Sequence, residues 1–226
     1  MRDAEPVNAL SRTRVFLVDD HPLVRESLAS LIERQPDLCV CGEADRAAAA
    51  LAAIATAKPD VAIVDLSLGD GSGLELIRGL RQMHPQVAVL VLSMHDEELY
   101  AERALRAGAR GYIMKREATR NVILAIRRVR EGKIAVSGRL AETLAAKVIA
   151  TPSAGADPVT TLSDRELEVF RLVGEGRQTR QIADALHLSA KTVQAYYARI
   201  KEKLGVTNAN ELLREAIRWV QQRDGR

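Results

Sequence analysis

The chain has 226 residues, of which 47% are hydrophobic and 28% charged, with a formal net charge of +3. That length suits two modest domains better than one, and with aromatics at 3% the cores must be built from Leu, Val, Ile and Ala. No apolar run reaches the span of a membrane helix, and residues 1–14 are charged and lack the apolar stretch of a signal peptide, so a soluble, cytoplasmic protein is expected. The charge is uneven. Residues 1–161 hold 21 Lys+Arg and 21 Asp+Glu, whereas residues 162–226 hold 12 and 9. A neutral front and a basic back suggest that the back half meets an anion.

Residues 14–18 form a short apolar strand that runs into Asp19 and Asp20. Residues 23–34 place Leu23, Val24, Leu28, Leu31 and Ile32 at helical spacing. A second strand covers 38–42 and holds both cysteines, Cys39 and Cys41. Strand alternation puts the two thiols on one face. Two small core residues in a reducing compartment is the favoured reading, because no further ligands complete a metal site. An Ala-rich helix follows at 46–58. Residues 61–65 (Val-Ala-Ile-Val-Asp) are a continuous apolar run ending in an acid and a Gly/Asp/Ser-rich turn. Such a run reads as the central strand of a parallel sheet, buried on both faces. A helix up to about 84, a strand at 87–92 ending at Ser93, a helix to Gly108, a strand at 111–114 ending at Lys115, and a helix over 117–131 complete five strand–helix repeats. Strict alternation predicts an α/β fold: a (βα)5 doubly wound parallel sheet.

Residues 133–150 predict a further helix, and residues 151–158 a Pro-containing linker. From residue 162 the pattern is all helical. Ser163 and Glu166 form a capping box, and Leu167, Val169, Phe170 and Val173 mark the apolar face. A helix at 179–186, a turn at 187–188, and a helix at 190–204 capped by Ser189 and stopped by Gly205 follow. The 190–204 helix should bury Val193, Tyr196 or Tyr197, Ile200 and Leu204. A fourth helix covers 209–221. The expected domains are 12–133, a linker helix and flexible linker over 134–161, and a four-helix domain over 162–226.

The carboxyl ends of neighbouring parallel strands share one edge of the sheet, where ligands bind. Asp19, Asp20, Asp65, Ser93 and Lys115 should therefore converge. Carboxylates this close repel one another and call for a cation. Hard oxygen donors at an open site favour Mg²⁺, which with Lys115 would offset the charge of an incoming phosphoryl group. Asp65, on the most central strand, is the candidate nucleophile.

Val-Asp-Asp-His-Pro (18–22), Asp-Leu-Ser-Leu (65–68), Leu-Ser (92–93) and Gly-Tyr-Ile-Met-Lys (111–115) resemble a bacterial response-regulator receiver domain. The resemblance implies that Asp65 accepts a phosphoryl group from a sensor histidine kinase. It implies that Asp20, Asp65 and the Ser67 carbonyl hold Mg²⁺, with Asp19 assisting. It further implies that Ser93 moves to the phosphoryl oxygen, that Lys115 pairs with it, and that Tyr112 swings inward. Two positions depart from the pattern: Gly69 and Arg116 stand where Pro is common.

The two helices joined by a tight turn read as a helix-turn-helix, whose second helix presents its first residues to base edges. Lys191, Thr192, Gln194 and Ala195 occupy those positions, with Arg199, Lys201 and Lys203 farther along and Thr179 on the preceding helix. Gln suits adenine and Lys suits guanine or phosphate. Residues 162–216 resemble the LuxR-type domain of NarL/FixJ regulators, through Leu-Ser-x-Arg-Glu (162–166), Lys-Thr-Val (191–193) and Lys-Leu-Gly-Val (203–206). Tyr196, Thr179, Arg180 and Ala209 depart from its common residues. The resemblance implies a homodimer on double-stranded promoter DNA, its fourth helix the dimer surface. Unphosphorylated, the receiver is expected to mask the basic helix. The expected protein is a transcriptional regulator, not an enzyme beyond self-phosphorylation and autodephosphorylation. The alternative, a Mg²⁺-dependent phosphohydrolase of the haloacid-dehalogenase kind, calls for an acid two residues after the nucleophile, where Ser67 stands. A flavodoxin-like flavin site lacks a phosphate-cradling loop after the first strand.

Overall fold

The computed structural model describes residues 12–68, 71–94, 97–149, 158–186 and 188–224. Gly69, His187 and the linker residues 150–157 lie outside them. The chain divides into two compact units, Met1–Ile149 and Ala150–Arg226. Among the described residues no helix is long and apolar enough to cross a membrane.

In the first unit β1 (Thr13–Val18), β2 (Leu38–Ala44), β3 (Val61–Val64), β6 (Ala88–Ser93) and β7 (Gly111–Met114) form one sheet in the order β2-β1-β3-β6-β7. Every pairing is parallel. β3 is central and all four of its residues are buried. The crossovers are α1 (Pro22–Glu33), α2 (Ala47–Ala57), α3 (Gly73–Met83) and α4 (Glu97–Ala107), and α5 (Ala118–Arg130) follows β7. Val15, Leu17, Ile63, Leu90, Val122 and Ile126 lie in the main core. The repeat pattern was legible because Val61–Val64 and residues 88–92 are uninterrupted apolar runs.

Three details differ from the sequence reading. The turn after Asp65 contains a short antiparallel hairpin, β4 (Ser67–Leu68) with β5 (Gly71–Ser72). In β2 the register with β1 slips, so that Val15 faces Val40 and Phe16 faces Gly42. Cys41 is the extra residue, and such a bulge interrupts the alternation that would put Cys39 and Cys41 on one face. Both thiols are free and half-buried. Finally, α6 (Gly138–Ile149) starts five residues later than expected, because Ala135 forms a parallel bridge with Gly111 beside the sheet.

In the second unit a 3-10 turn (Pro158–Thr161) precedes α7 (Asp164–Gly174), α8 (Thr179–Ala185), α9 (Ala190–Leu204) and α10 (Ala209–Asp224). The capping box forms as expected: Glu166 N–H donates to Ser163 Oγ, and Ser163 N–H to Glu166. Gly205 stops α9 at φ 68°, a left-handed conformation that glycine adopts without strain. Phe170 and Trp219 pack tilted, with centroids 5.6 Å apart. Val193 and Ile200 are buried, while Tyr196, Tyr197 and Leu204 are only half-buried.

Candidate acidic site and nucleic-acid-facing helix

Asp19 directly follows β1, Asp65 directly follows β3, Ser93 ends β6 and Lys115 directly follows β7. The parallel sheet delivers all four to one edge. Asp19 and Asp65 are each 2% exposed and Ser93 is fully buried. Lys115 Nζ lies 2.6 Å from Asp19 Oδ2 and 2.7 Å from Asp65 Oδ2, so one ammonium is shared between two buried carboxylates. The opposite oxygens are held by backbone. Asp19 Oδ1 accepts the His21 N–H at 2.9 Å, and Asp65 Oδ1 accepts the Ser67 N–H at 3.3 Å.

The charges do not balance. Burial pushes the Asp65 carboxyl up to about 6, outweighing the pull of Lys115, while Asp19 adds to the rise. Burial pulls Lys115 down, but the Asp65 and Asp19 carboxylates more than reverse it, and its pKa rises. Asp20 Oδ1 is buried without a hydrogen-bond partner. His21 Nδ1 stands 2.6 Å from that oxygen, without hydrogen-bonding geometry. Ligand atoms of Asp19, Asp20, His21 and Asp65 all lie within 4.8 Å of one another. A carboxylate oxygen that accepts no hydrogen bond, beside two buried carboxylates, fits a hard divalent cation.

Ser67 is half-buried at the head of β4, and Tyr112 is buried on β7. The sequence reading did not foresee two neighbours of the site. His21 is one, although it follows the acid pair directly. The other is Arg25 on α1, whose Nη1 donates to the Asp19 carbonyl at 2.6 Å and whose Nε pairs with Glu43 at 3.2 Å. Its only sequence signal was a place in the first turns of the helix that follows the acids.

On α9, Lys191, Gln194, Ala195 and Arg199 are exposed. Arg199 Cζ lies 6.0 Å from the Tyr196 ring centroid. Three other residues of the expected set are tied into the fold. Thr192 Oγ1 contacts Ser189 Oγ at 2.8 Å, and Thr179 Oγ1 lies 3.4 Å from Tyr197 Oη. Lys203 Nζ pairs with Glu166 at 2.6 Å, where the Glu166 side chain is 4% exposed. A near-buried carboxylate needs that partner, so Lys203 fastens α9 to α7. Lys201 is half-buried.

Residues 15–127 match the response regulator receiver domain, and residues 160–216 match the luxR family of bacterial regulatory proteins. The chain is 38% identical over 193 residues to the DNA-binding transcriptional activator DevR/DosR of Mycobacterium tuberculosis, covering 85% of this chain and 88% of that one. It is 33% identical over 210 residues to the oxygen regulatory protein NreC of Staphylococcus aureus, covering 91% and 97%. Among solved structures it resembles RcsB of Salmonella enterica serovar Typhimurium bound to promoter P1flhDC with phosphomimetic BeF3-. That likeness has a TM-score of 0.60 at 28% identity and covers 91% and 98% of the two chains. It also resembles a LuxR-family two-component response regulator from Aurantimonas sp. SI85-9A1, with a TM-score of 0.57 at 35% identity, covering 62% and 100%. The phosphohydrolase alternative finds no support in these matches. The chain belongs to the response-regulator family, with a receiver domain followed by a LuxR-type DNA-binding domain.

Proposed function

We propose that this chain is a cytoplasmic, phosphorylation-dependent transcriptional regulator whose receiver takes a phosphoryl group on Asp65 from a sensor histidine kinase. The observation that carries the reading is the single ammonium of Lys115 bridging Asp19 and Asp65 at the sheet edge. An Asp65 oxygen attacks the phosphorus of a phosphohistidine, the P–N bond breaks, and the imidazole leaves with a proton. The product is an acyl phosphate on the protein. Asp19, Asp20, Asp65 and the Ser67 carbonyl are the ligands for Mg²⁺, which when bound neutralises charge on the transferring group.

Forming the acyl phosphate removes the carboxylate charge of Asp65, so Lys115, still beside Asp19, turns from Asp65 to a phosphoryl oxygen. Ser93 supplies a hydroxyl to a second oxygen, and Tyr112 fills the space that Ser93 leaves. The chemistry of the chain is confined to its own Asp65: self-phosphorylation from a phosphoryl donor, and attack of water on the resulting acyl phosphate. The added charge of about −1.5 to −2 biases a two-state equilibrium of the α4–β7–α5 face. That shift unmasks the basic helix and favours a homodimer on promoter DNA. Lys191, Gln194 and Arg199 on α9 read the major groove, with Ala195 against a base or methyl edge.

Incubating the full chain with acetyl phosphate and Mg²⁺ tests this. The expected result is a mass gain of one phosphoryl group that is absent from Asp65→Asn, together with tighter promoter binding. No gain in the parent chain, with Asp65→Asn behaving identically on DNA, overturns it.

A further inference from the structure

The segment after α5 is fastened to the sheet edge that carries Lys115. The Tyr112 N–H donates to the Ala135 carbonyl at 2.8 Å, and the Ala135 N–H donates to the Arg110 carbonyl at 2.9 Å. Gly111 permits this approach. A Cβ there would lie 2.8 Å from the Ala135 carbonyl oxygen and 3.0 Å from the Ala135 methyl.

Ser137 then opens α6. Its Oγ accepts the Leu140 N–H at 3.1 Å and donates to Glu97 Oε2 at 2.5 Å, while its own N–H donates to Glu97 Oε1 at 3.1 Å. Arg139 pairs with Glu98 at 2.6 Å. Glu97 and Glu98 are the first two residues of α4. One carboxylate therefore serves the N-termini of two helices, where unsatisfied N–H groups favour negative charge. Leu140 is buried behind the contact.

Both anchors lead back to the acidic site. β7 runs directly into Lys115, and α4 begins four residues after Ser93. Ala135 is tied to β7, whereas Ser137 and Arg139 are tied to α4. A movement of Ser93 toward a phosphoryl oxygen draws the head of α4 relative to β7, and residues 135–139 span that gap.

We infer that Glu97 and Glu98 clasp the linker helix through Ser137 and Arg139, and that phosphoryl transfer to Asp65 opens this clasp. The coupling rests on the reading of Asp65 as phosphoryl acceptor; the clasp itself does not. Opening it frees α6, the last described helix before residues 150–157, from the receiver face that responds to the phosphoryl group.

Amide exchange of peptides covering 135–146, followed by mass spectrometry on the full chain, tests it. Acetyl phosphate with Mg²⁺ should speed their exchange about tenfold, the scale of losing charge-assisted hydrogen bonds. Glu97→Ala/Glu98→Ala should exchange at that faster rate without phosphate, while still gaining the mass of one phosphoryl group. Arg106→Ala, which among the described residues breaks only the surface pair with Glu102 on α4, should behave like the parent chain. Mass gain with unchanged exchange at 135–146 overturns the clasp. So does a double variant that exchanges like the parent at rest. Absence of mass gain in the parent chain overturns the phospho-acceptor reading and the coupling with it, and leaves the resting clasp to be decided by the double variant.

Discussion

Asp65 is a carboxyl in a place that disfavours its ionised form. Its pKa rises from 3.8 to about 6, chiefly through burial. The folded chain thus holds this proton more tightly than the unfolded chain does. The group favours folding below about pH 3.8, and that contribution is lost as pH rises through 6. Ionised Asp65 then costs about 3 kcal/mol. Without divalent cation, Asp65→Asn should therefore raise the melting temperature of the receiver at pH 7.5 and bring little gain at pH 4.5, as thermal unfolding at both pH values will reveal. The nucleophile is the carboxylate. Acceptance from acetyl phosphate should accordingly fall as pH drops below about 6, and saturating Mg²⁺ should move that fall to lower pH. At a hundred times its dissociation constant, Mg²⁺ should also stabilise the chain by about 2.7 kcal/mol, an increment that Asp20→Asn should lose.

Elements are positioned by contacts that local sequence does not announce. α3 starts so close to the end of β3 that a Cβ on Gly73 would lie 2.2 Å from the Asp65 carbonyl oxygen and 2.6 Å from Leu66 Cα. Backbone cannot yield there without moving Asp65. Gly73→Ala should abolish phosphoryl acceptance, measured by intact mass, even in the fraction that folds and shows a normal far-ultraviolet spectrum. In the second unit two lysines of α9 that look alike in sequence part company. Lys203→Ala leaves the nearly buried Glu166 carboxylate without its cation. Because the Lys203 side chain is 39% exposed, the expected cost is about 1–2 kcal/mol in chemical denaturation. Lys191→Ala, on an exposed position, should leave stability unchanged and weaken promoter binding.

For the whole molecule, the surplus charge lies in the DNA-binding half, and binding should carry the signature of phosphate contacts. A dimer neutralising six or more phosphates should lose roughly a thousandfold in affinity between 50 and 200 mM salt, measurable by fluorescence anisotropy on one promoter duplex. The sequence by itself determined the alternation of strands and helices, the central placement of 61–64, the acids and the lysine at strand ends, and the capped helices of the second half. Those features are local: apolar runs, helical periodicity and cap residues are written within a few positions of one another. Tertiary structure alone decided that Lys115 is shared by two carboxylates 50 and 96 positions away, that Arg25 braces the Asp19 carbonyl, that Lys203 belongs to Glu166, and that Ala135 and Ser137 are fastened to β7 and α4. All but the Arg25 contact join residues distant in the chain, and which partner each charge finds depends on where the packed sheet and helices bring them, which no periodicity encodes.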